Sequence, residues 1–132
     1  MELTGDTMLA IIAYAYHQCN GCELTYLHYM SLSTHLVDDV HLKGDMLVRS
    51  GFFEDFPDYN YFKLTKAGIT FLEKHTAIEV LTAVLNKTYI RTVRFIKKLF
   101  DALILEELPQ FLTHDDVVVR YIVSCRVEEL KF

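Results

Sequence analysis

The chain has few of the residues that interrupt secondary structure or cross-link very small folds. Its 132 residues include five glycines, two prolines, three cysteines and no tryptophan. Scarce glycine and proline exclude a collagen-like or low-complexity chain, and a hydrophobic content of 52% excludes a disordered one. Helix-forming residues are common. We therefore predict a mainly α-helical globular protein, and the length suits a single domain, 1–132, with its own core.

The sequence also lacks the usual membrane and export segments. No run of about 18 uncharged apolar residues is present, so no membrane-spanning helix is expected. Glu2 and Asp6 stand where a signal peptide would have a basic region before its apolar stretch. An odd number of cysteines without a secretory signal favours reduced thiols over a disulfide scaffold. These features predict a cytoplasmic protein.

Motifs for catalysis or cofactor binding are missing as well. There is no glycine-rich phosphate loop and no nucleophile elbow. The sequence "HDD" at 114–116 is better explained as the start of a helix, where acids complement the helix dipole. We expect no enzymatic activity and no cofactor.

One partial set of metal ligands needs an explanation. His17, Cys19 and Cys22 lie within six residues, in "HQCNGC". Structural zinc takes four ligands, and a second pair with similar spacing is missing. The favoured interpretation is that two small apolar cysteines flank a turn between helices. A weak metal site at these three residues is the alternative.

Charge is segregated along the chain. Residues 1–62 carry nine acids and two bases, 63–98 carry eight bases and two acids, and 99–132 carry seven acids and three bases. The net charge of −5 therefore conceals an acidic first half and a basic middle. Such separated charges steer binding partners rather than set the fold.

Helical periodicity indicates three helices in the first half, over about 4–17, 22–30 and 35–51. The expected inward residues are Leu9, Ile12, Ala13, Tyr16, Leu24, Leu27, Met30, Val37, Val40, Gly44 and Leu47. Gly51 is a natural stop for the third helix. Two short aromatic segments follow, "FFEDF" and "YNYFKLT", joined around Pro57-Asp58. They predict a β-hairpin that must pack on helices, because a two-stranded hairpin alone is marginal.

The second half is predicted to be helical. One helix runs from a cap at Thr65 to about residue 86, and another continues to Pro109. A last segment begins at "THDD" and runs to Phe132. Its β-branched "VVVRYIV" stretch leaves helix and strand both open over 117–123.

Three helices, a two-stranded hairpin and a further helix resemble the winged helix-turn-helix superfamily. The segments that carry the resemblance are "VHLKGDMLVRSGFF" and "YFKLTKAGITFL". The closest similarity is to small MarR-like and PadR-like regulators, over about residues 4–85. The resemblance implies a winged-helix-like core over 4–75, in which the hairpin is the wing. Residues 76–132 would then be a C-terminal helical extension that dimerises or adds a helical layer.

In that family the third helix enters the DNA major groove and the wing contacts phosphate. Here the outward residues of the third helix and wing are largely acidic, and no Lys or Arg lies between Phe52 and Phe62. DNA-binding affinity comes mostly from neutralising phosphates, so this surface should repel a duplex. We predict instead that this surface contacts a protein partner that has a basic surface. An inhibitor that mimics DNA is one version of this hypothesis. Its residues are Asp38, Asp39, His41, Leu42, Asp45, Met46, Arg49, Glu54, Asp55 and Asp58.

The alternative is a DNA-binding transcription regulator that acts as a dimer. Its phosphate contacts would come from Arg91, Arg94, Lys97 and Lys98. The expected homodimer would form along an apolar seam of Ile90, Val93, Ile96, Phe100, Leu103 and Ile104. A solvated third helix with no partner is the third possibility.

Overall fold

A computed structural model describes residues 3–37, 40–87 and 92–131 of the chain. The α-helices are α1 (Gly5–Gln18), α2 (Tyr26–Ser33), α3 (Gly44–Arg49), α4 (Lys66–Glu73), α5 (Ala77–Leu85), α6 (Val93–Phe100) and α7 (Val117–Lys131). The strands are β1 (Glu23–Thr25), β2 (Leu36–Val37), β3 (Val40–His41), β4 (Phe53–Phe56) and β5 (Tyr61–Leu64). The predicted fold class, mainly α with a small β-hairpin, is confirmed.

Helix α1 is the centre of the core. Thr4 caps it, since its side-chain oxygen accepts a hydrogen bond from the Thr7 N–H at 3.3 Å. Most of the helix is buried, because it packs against α4, α5, α6 and β5. Burial of each large apolar side chain stabilises the fold by about 2 kcal/mol. Tyr16, which the periodicity predicts to be inward, is exposed instead.

The hairpin belongs to a three-stranded antiparallel sheet in the order β1-β5-β4. Phe53 pairs with Leu64 and Phe56 with Tyr61, while Leu24 of β1 pairs with Phe62. The predicted hairpin is confirmed, and Asn60 closes its turn with a φ of 58°. The inner face of the sheet buries Phe53, Phe62 and Leu64 against the helices.

The second predicted helix is wrong at its start. Residues 23–25 form β1, and Thr25 caps α2 by accepting a hydrogen bond from the His28 N–H at 3.2 Å. Leu24 is buried as predicted, but Leu27 and Met30 are exposed. A three-residue strand depends on its distant partner β5, which helical periodicity cannot reveal.

The third predicted helix is wrong over most of its length. The antiparallel pair of β2 and β3 occupies its first half, and α3 begins only at Gly44. β-branched Val37 and Val40 favour extended backbone, which helps the chain adopt strands here. Gly51, with a φ of 80°, follows the helix as predicted. Gly44 lies against Phe62, since a Cβ on it would be 2.9 Å from the Phe62 Cζ.

The C-terminal half is helical but more divided than predicted. The helix expected over 65–86 is two helices, because Thr76 and Glu79 form a capping box that begins α5. The helix expected to reach Pro109 ends at Phe100, and 3-10 turns follow at Leu105–Glu107 and Pro109–Phe111. Residues 117–123 are helical, as the start of α7. Helices α5, α6 and α7 form a layer that extends the core beyond α1.

Candidate protein-contact surface

Three acidic side chains lie exposed on β4 and the turn that follows it. Glu54 and Asp55 are on β4, and Asp58 is in the 3-10 turn Pro57–Tyr59. We call Glu54, Asp55 and Asp58 the acidic hairpin surface. No lysine or arginine occurs between Phe52 and Phe62, but exposed Lys63 on β5 pairs with Glu54 across the hairpin, so three acids face one base there.

The hairpin is held to α2 by two polar contacts. The Tyr26 hydroxyl donates a short hydrogen bond to Oδ1 of Asp55. The Tyr26 N–H donates to the Asn60 carbonyl at 2.8 Å. The first contact raises the pKa of Tyr26 from its ordinary value of 10 to about 12, because ionisation would break the hydrogen bond to Asp55. The acidic surface is therefore fixed in orientation relative to α2.

This contact predicts a pH dependence at the alkaline end. The pKa of Tyr26 is near 10 in the unfolded chain and about 12 in the folded one, so the folded chain holds this proton more tightly. The stability from the hydrogen bond is complete below about pH 10 and is lost as the pH rises towards 12. The pKa values of Tyr14 and Tyr121 are raised as well, so absorbance titration of phenolate should show several late-ionising tyrosines, one fewer in Tyr26→Phe. The control Tyr59→Phe, an exposed tyrosine, should keep them all. An unchanged amplitude of the late ionisation in Tyr26→Phe would contradict the contact.

Aromatic rings line the same hairpin. The rings of Tyr59 and Tyr61 stack with centroids 6.0 Å apart, and Phe56 lies 5.3 Å from Tyr61. Tyr59 is 70% exposed, which leaves one ring face open to solvent. Exposed aromatics beside charges are typical of contact surfaces, because they bury large areas at low cost in side-chain entropy.

Helix α3 leads through Gly51 into β4 and adds a cleft next to the hairpin. Asp45 and Arg49 are exposed and pair across one helical turn at 3.3 Å. Met46 is half-buried. Together with Arg49 it lines a cavity of about 260 Å³ that also touches Leu3, Gly5, Met8, Ser50, Phe52 and Phe71. A cleft of this size accepts one apolar side chain of a partner.

Other members of the predicted contact set are placed differently. Leu42, predicted to face outward, is only 2% exposed, because it begins the turn into α3 and its carbonyl accepts the Tyr29 hydroxyl at 3.2 Å. It therefore cannot be a contact residue on the surface. His41 is exposed at the end of β3. Asp38 and Asp39 lie outside the described residues.

The basic residues of the alternative prediction lie on α6. Arg94, Lys97 and Lys98 are exposed, and Arg91 lies outside the described residues. The Lys98 Nζ donates to the His17 carbonyl at 2.8 Å, so one of the three bases is turned towards the end of α1. The pKa of His17 is lowered, by burial first and by the Lys98 charge second.

The predicted dimer seam is wrong for three of its six residues, because this chain itself covers them. Ile96, Phe100 and Leu103 are buried within the single chain. The Phe100 ring meets Phe111 edge-to-face with centroids 5.3 Å apart. Val93 and Ile104 are exposed, and Ile90 lies outside the described residues. The other predicted possibility was that the C-terminal helices add a layer to the core. That layer accounts for the burial of Ile96, Phe100 and Leu103.

The cysteine–histidine set does not come together. Cys19 Sγ lies 3.7 Å from His28 Nδ1 rather than beside His17, and Cys19 is buried at the end of α1. Burial, with a smaller effect of Cys22, raises the pKa of the Cys19 thiol to about 11. A raised pKa opposes the thiolate that zinc requires. Within 3–37, 40–87 and 92–131, no group of three His, Cys, Asp or Glu side chains could hold a metal ion.

Sequence reasoning missed the aromatic half of this surface. The sequence predicts that the hairpin packs on helices, but it does not distinguish the outer rings Phe56, Tyr59 and Tyr61 from the buried ones, and it does not single out Tyr26. Side chains alternate between the two faces of a strand, so Glu54 and Phe56 lie on the same face of β4. The charge of Glu54 indicates that this face is the outer one. No sequence signal pairs Tyr26 with Asp55, because the two are far apart in the chain.

No protein-family model matches the chain, and neither a curated protein nor a solved structure matches it. Over the part of the chain that the structure describes, none of the helices has the length and apolar character to cross a membrane.

Proposed function

We propose that this is a non-enzymatic, winged-helix-like regulatory protein that acts by protein–protein contact, as an adaptor or an inhibitor. The observation that carries the proposal is the acidic hairpin surface, which joins three exposed acids to a row of exposed and half-exposed aromatic rings. The succession of α1, α2, α3 and the β4–β5 hairpin supports the winged-helix-like interpretation.

The chemistry of the surface favours a basic protein partner. Acids on one partner attract bases on the other, which speeds encounter and excludes partners of the same charge. Tyr59 and the cleft beside Met46 supply apolar contact area, which charges alone lack. A DNA duplex has the wrong charge for this surface.

Affinity capture tests the proposal. Immobilised wild-type chain is compared with Glu54→Lys/Asp58→Lys and with Glu106→Lys/Glu128→Lys, a control that reverses two exposed acids elsewhere. The wild type and the control should retain the same basic protein from host cells at low salt, and the hairpin variant should lose it. Identical captured proteins on all three surfaces would contradict the proposal.

A second candidate is a DNA-binding regulator that contacts phosphate through α6. Exposed Arg94, Lys97 and Lys98 on that helix favour it. It predicts binding to a labelled mixed-sequence duplex at about 50 mM salt that weakens strongly at about 200 mM. Alanine at the three positions should reduce the salt dependence. Absence of duplex binding at micromolar protein would exclude this candidate.

A further inference from the structure

Strand β4 is a free edge of the three-stranded sheet. The sheet order is β1-β5-β4, and no strand of the described residues pairs with the outer side of β4. The Thr65 N–H donates to the Phe52 carbonyl at 2.9 Å, in register with the β4–β5 pairs. In an antiparallel pair, the backbone groups of every second residue form hydrogen bonds to the neighbouring strand. The N–H and carbonyl groups of Glu54 and Phe56 therefore also bond to β5. The N–H and carbonyl groups of Phe53 and Asp55 therefore point outward, and they have no partner in the described part of the chain.

The charges that guard this edge are acidic, so they oppose pairing with acidic or neutral strands but not with a basic one. Lysine on an edge strand discourages pairing with another chain. Here the exposed residues of β4 are Glu54 and Asp55, and Asp58 follows immediately. Tyr26 bonds to Oδ1 of Asp55, and the second carboxylate oxygen of Asp55 still has acceptor capacity. An added strand would meet acids along its length, which favours basic side chains.

The aromatic rings strengthen the same preference. Glu54 and Phe56 share the outer face of β4, and Tyr61 pairs with Phe56 across the hairpin. Tyr59 stacks on Tyr61 and has an open ring face. An arginine guanidinium can lie on such a ring while it bonds to a nearby carboxylate, because it is planar and weakly hydrated.

We infer that β4 is a docking edge for a basic extended segment of the partner, which adds to the sheet as a fourth strand. Main-chain hydrogen bonds to Phe53 and Asp55 would supply affinity, and arginines facing Glu54, Asp58 and Tyr59 would supply specificity. The inference rests on the proposed function, since it assigns a chemical class to the same partner.

Backbone methylation of a probe peptide tests the inference. The probe is a labelled eight-residue peptide of alternating arginine and threonine. Two further versions carry N-methyl groups on all arginines or on all threonines. In a bound strand only one of these sets of N–H groups faces β4. We expect one methylated version to bind about tenfold or more weakly and the other to bind within about threefold of the unmodified peptide.

Charge variants separate this inference from the proposed function. Binding should fall in Glu54→Lys/Asp58→Lys, and in the milder Glu54→Gln/Asp58→Asn, but not in Glu106→Lys/Glu128→Lys. If both methylated peptides bind as well as the unmodified one while the hairpin variants still lose binding, strand addition is overturned and the acidic contact stands. If no peptide binds, strand addition is likewise overturned. If all peptides bind all variants equally, the acidic contact is overturned too.

Discussion

Replacement of Phe100 with alanine is expected to destabilise the protein by about 3–5 kcal/mol, whereas Ile104→Ala should change stability by about 0.5 kcal/mol or less. Phe100 is completely buried against Phe111, while Ile104 is 59% exposed. Truncation of a buried ring loses its transfer free energy and leaves a cavity. The free energy of unfolding from urea titration gives both values.

The same pair of variants tests the correction of the dimer seam. If Phe100 belongs to the core of one chain, Phe100→Ala lowers the free energy of unfolding by the same amount at low and high protein concentration. An interface residue would instead make the loss depend on concentration, because dimerisation stabilises by mass action. A strong concentration dependence in the wild type that disappears in Phe100→Ala would contradict the single-chain core.

Replacement of Gly68 with alanine should destabilise the protein by about 2 kcal/mol or more, although alanine is the better helix former. A Cβ at this position in α4 would lie 2.6 Å from the Phe52 carbonyl oxygen and 3.0 Å from Cδ2 of Leu64. The same carbonyl accepts the Thr65 N–H at 2.9 Å, so relief of the clash would disturb the junction between β4 and α4.

Gly5→Ala is the matched control for this prediction. A Cβ at Gly5, in the first turn of α1, has no atom within 4 Å. Alanine there should leave stability unchanged or raise it by a few tenths of a kcal/mol, up to about 1 kcal/mol. We expect thermal or urea unfolding to show a loss of stability for Gly68→Ala and no loss, or a small gain, for Gly5→Ala. Equal effects would show that backbone entropy, rather than the close contact at Gly68, decides both.

The parts of the fold that local chemistry determines could be predicted. Apolar periodicity gave α1, for which Thr4 and Asp6 were both possible caps. Thr65 marked the start of α4, and Gly51 marked the end of α3. Two short aromatic segments joined around Pro57-Asp58 gave the hairpin. The break between α4 and α5 was not predicted, although Thr76 and Glu79 have the capping-box spacing that marks a helix start.

The parts that depend on distant partners could not be predicted. β1 is three residues long and exists through its pairing with β5, and the β2–β3 pair replaces half of a periodic helix. The burial of Leu42 follows from that change, since its position no longer lies on the face of a long helix. For the candidate surface, charge and sequence position identified Glu54, Asp55 and Asp58, but its aromatic rings and the Tyr26 contact required the structure.

The role of the acidic hairpin surface is tested by isothermal titration of a captured partner against the wild type and the two charge-reversed variants. We expect Glu54→Lys/Asp58→Lys to bind at least about tenfold more weakly, with a smaller dependence on salt, because two favourable charges become repulsive. Glu106→Lys/Glu128→Lys should bind like the wild type. Equal affinity of the hairpin variant and the wild type would contradict the claim that the acidic hairpin surface is the contact surface.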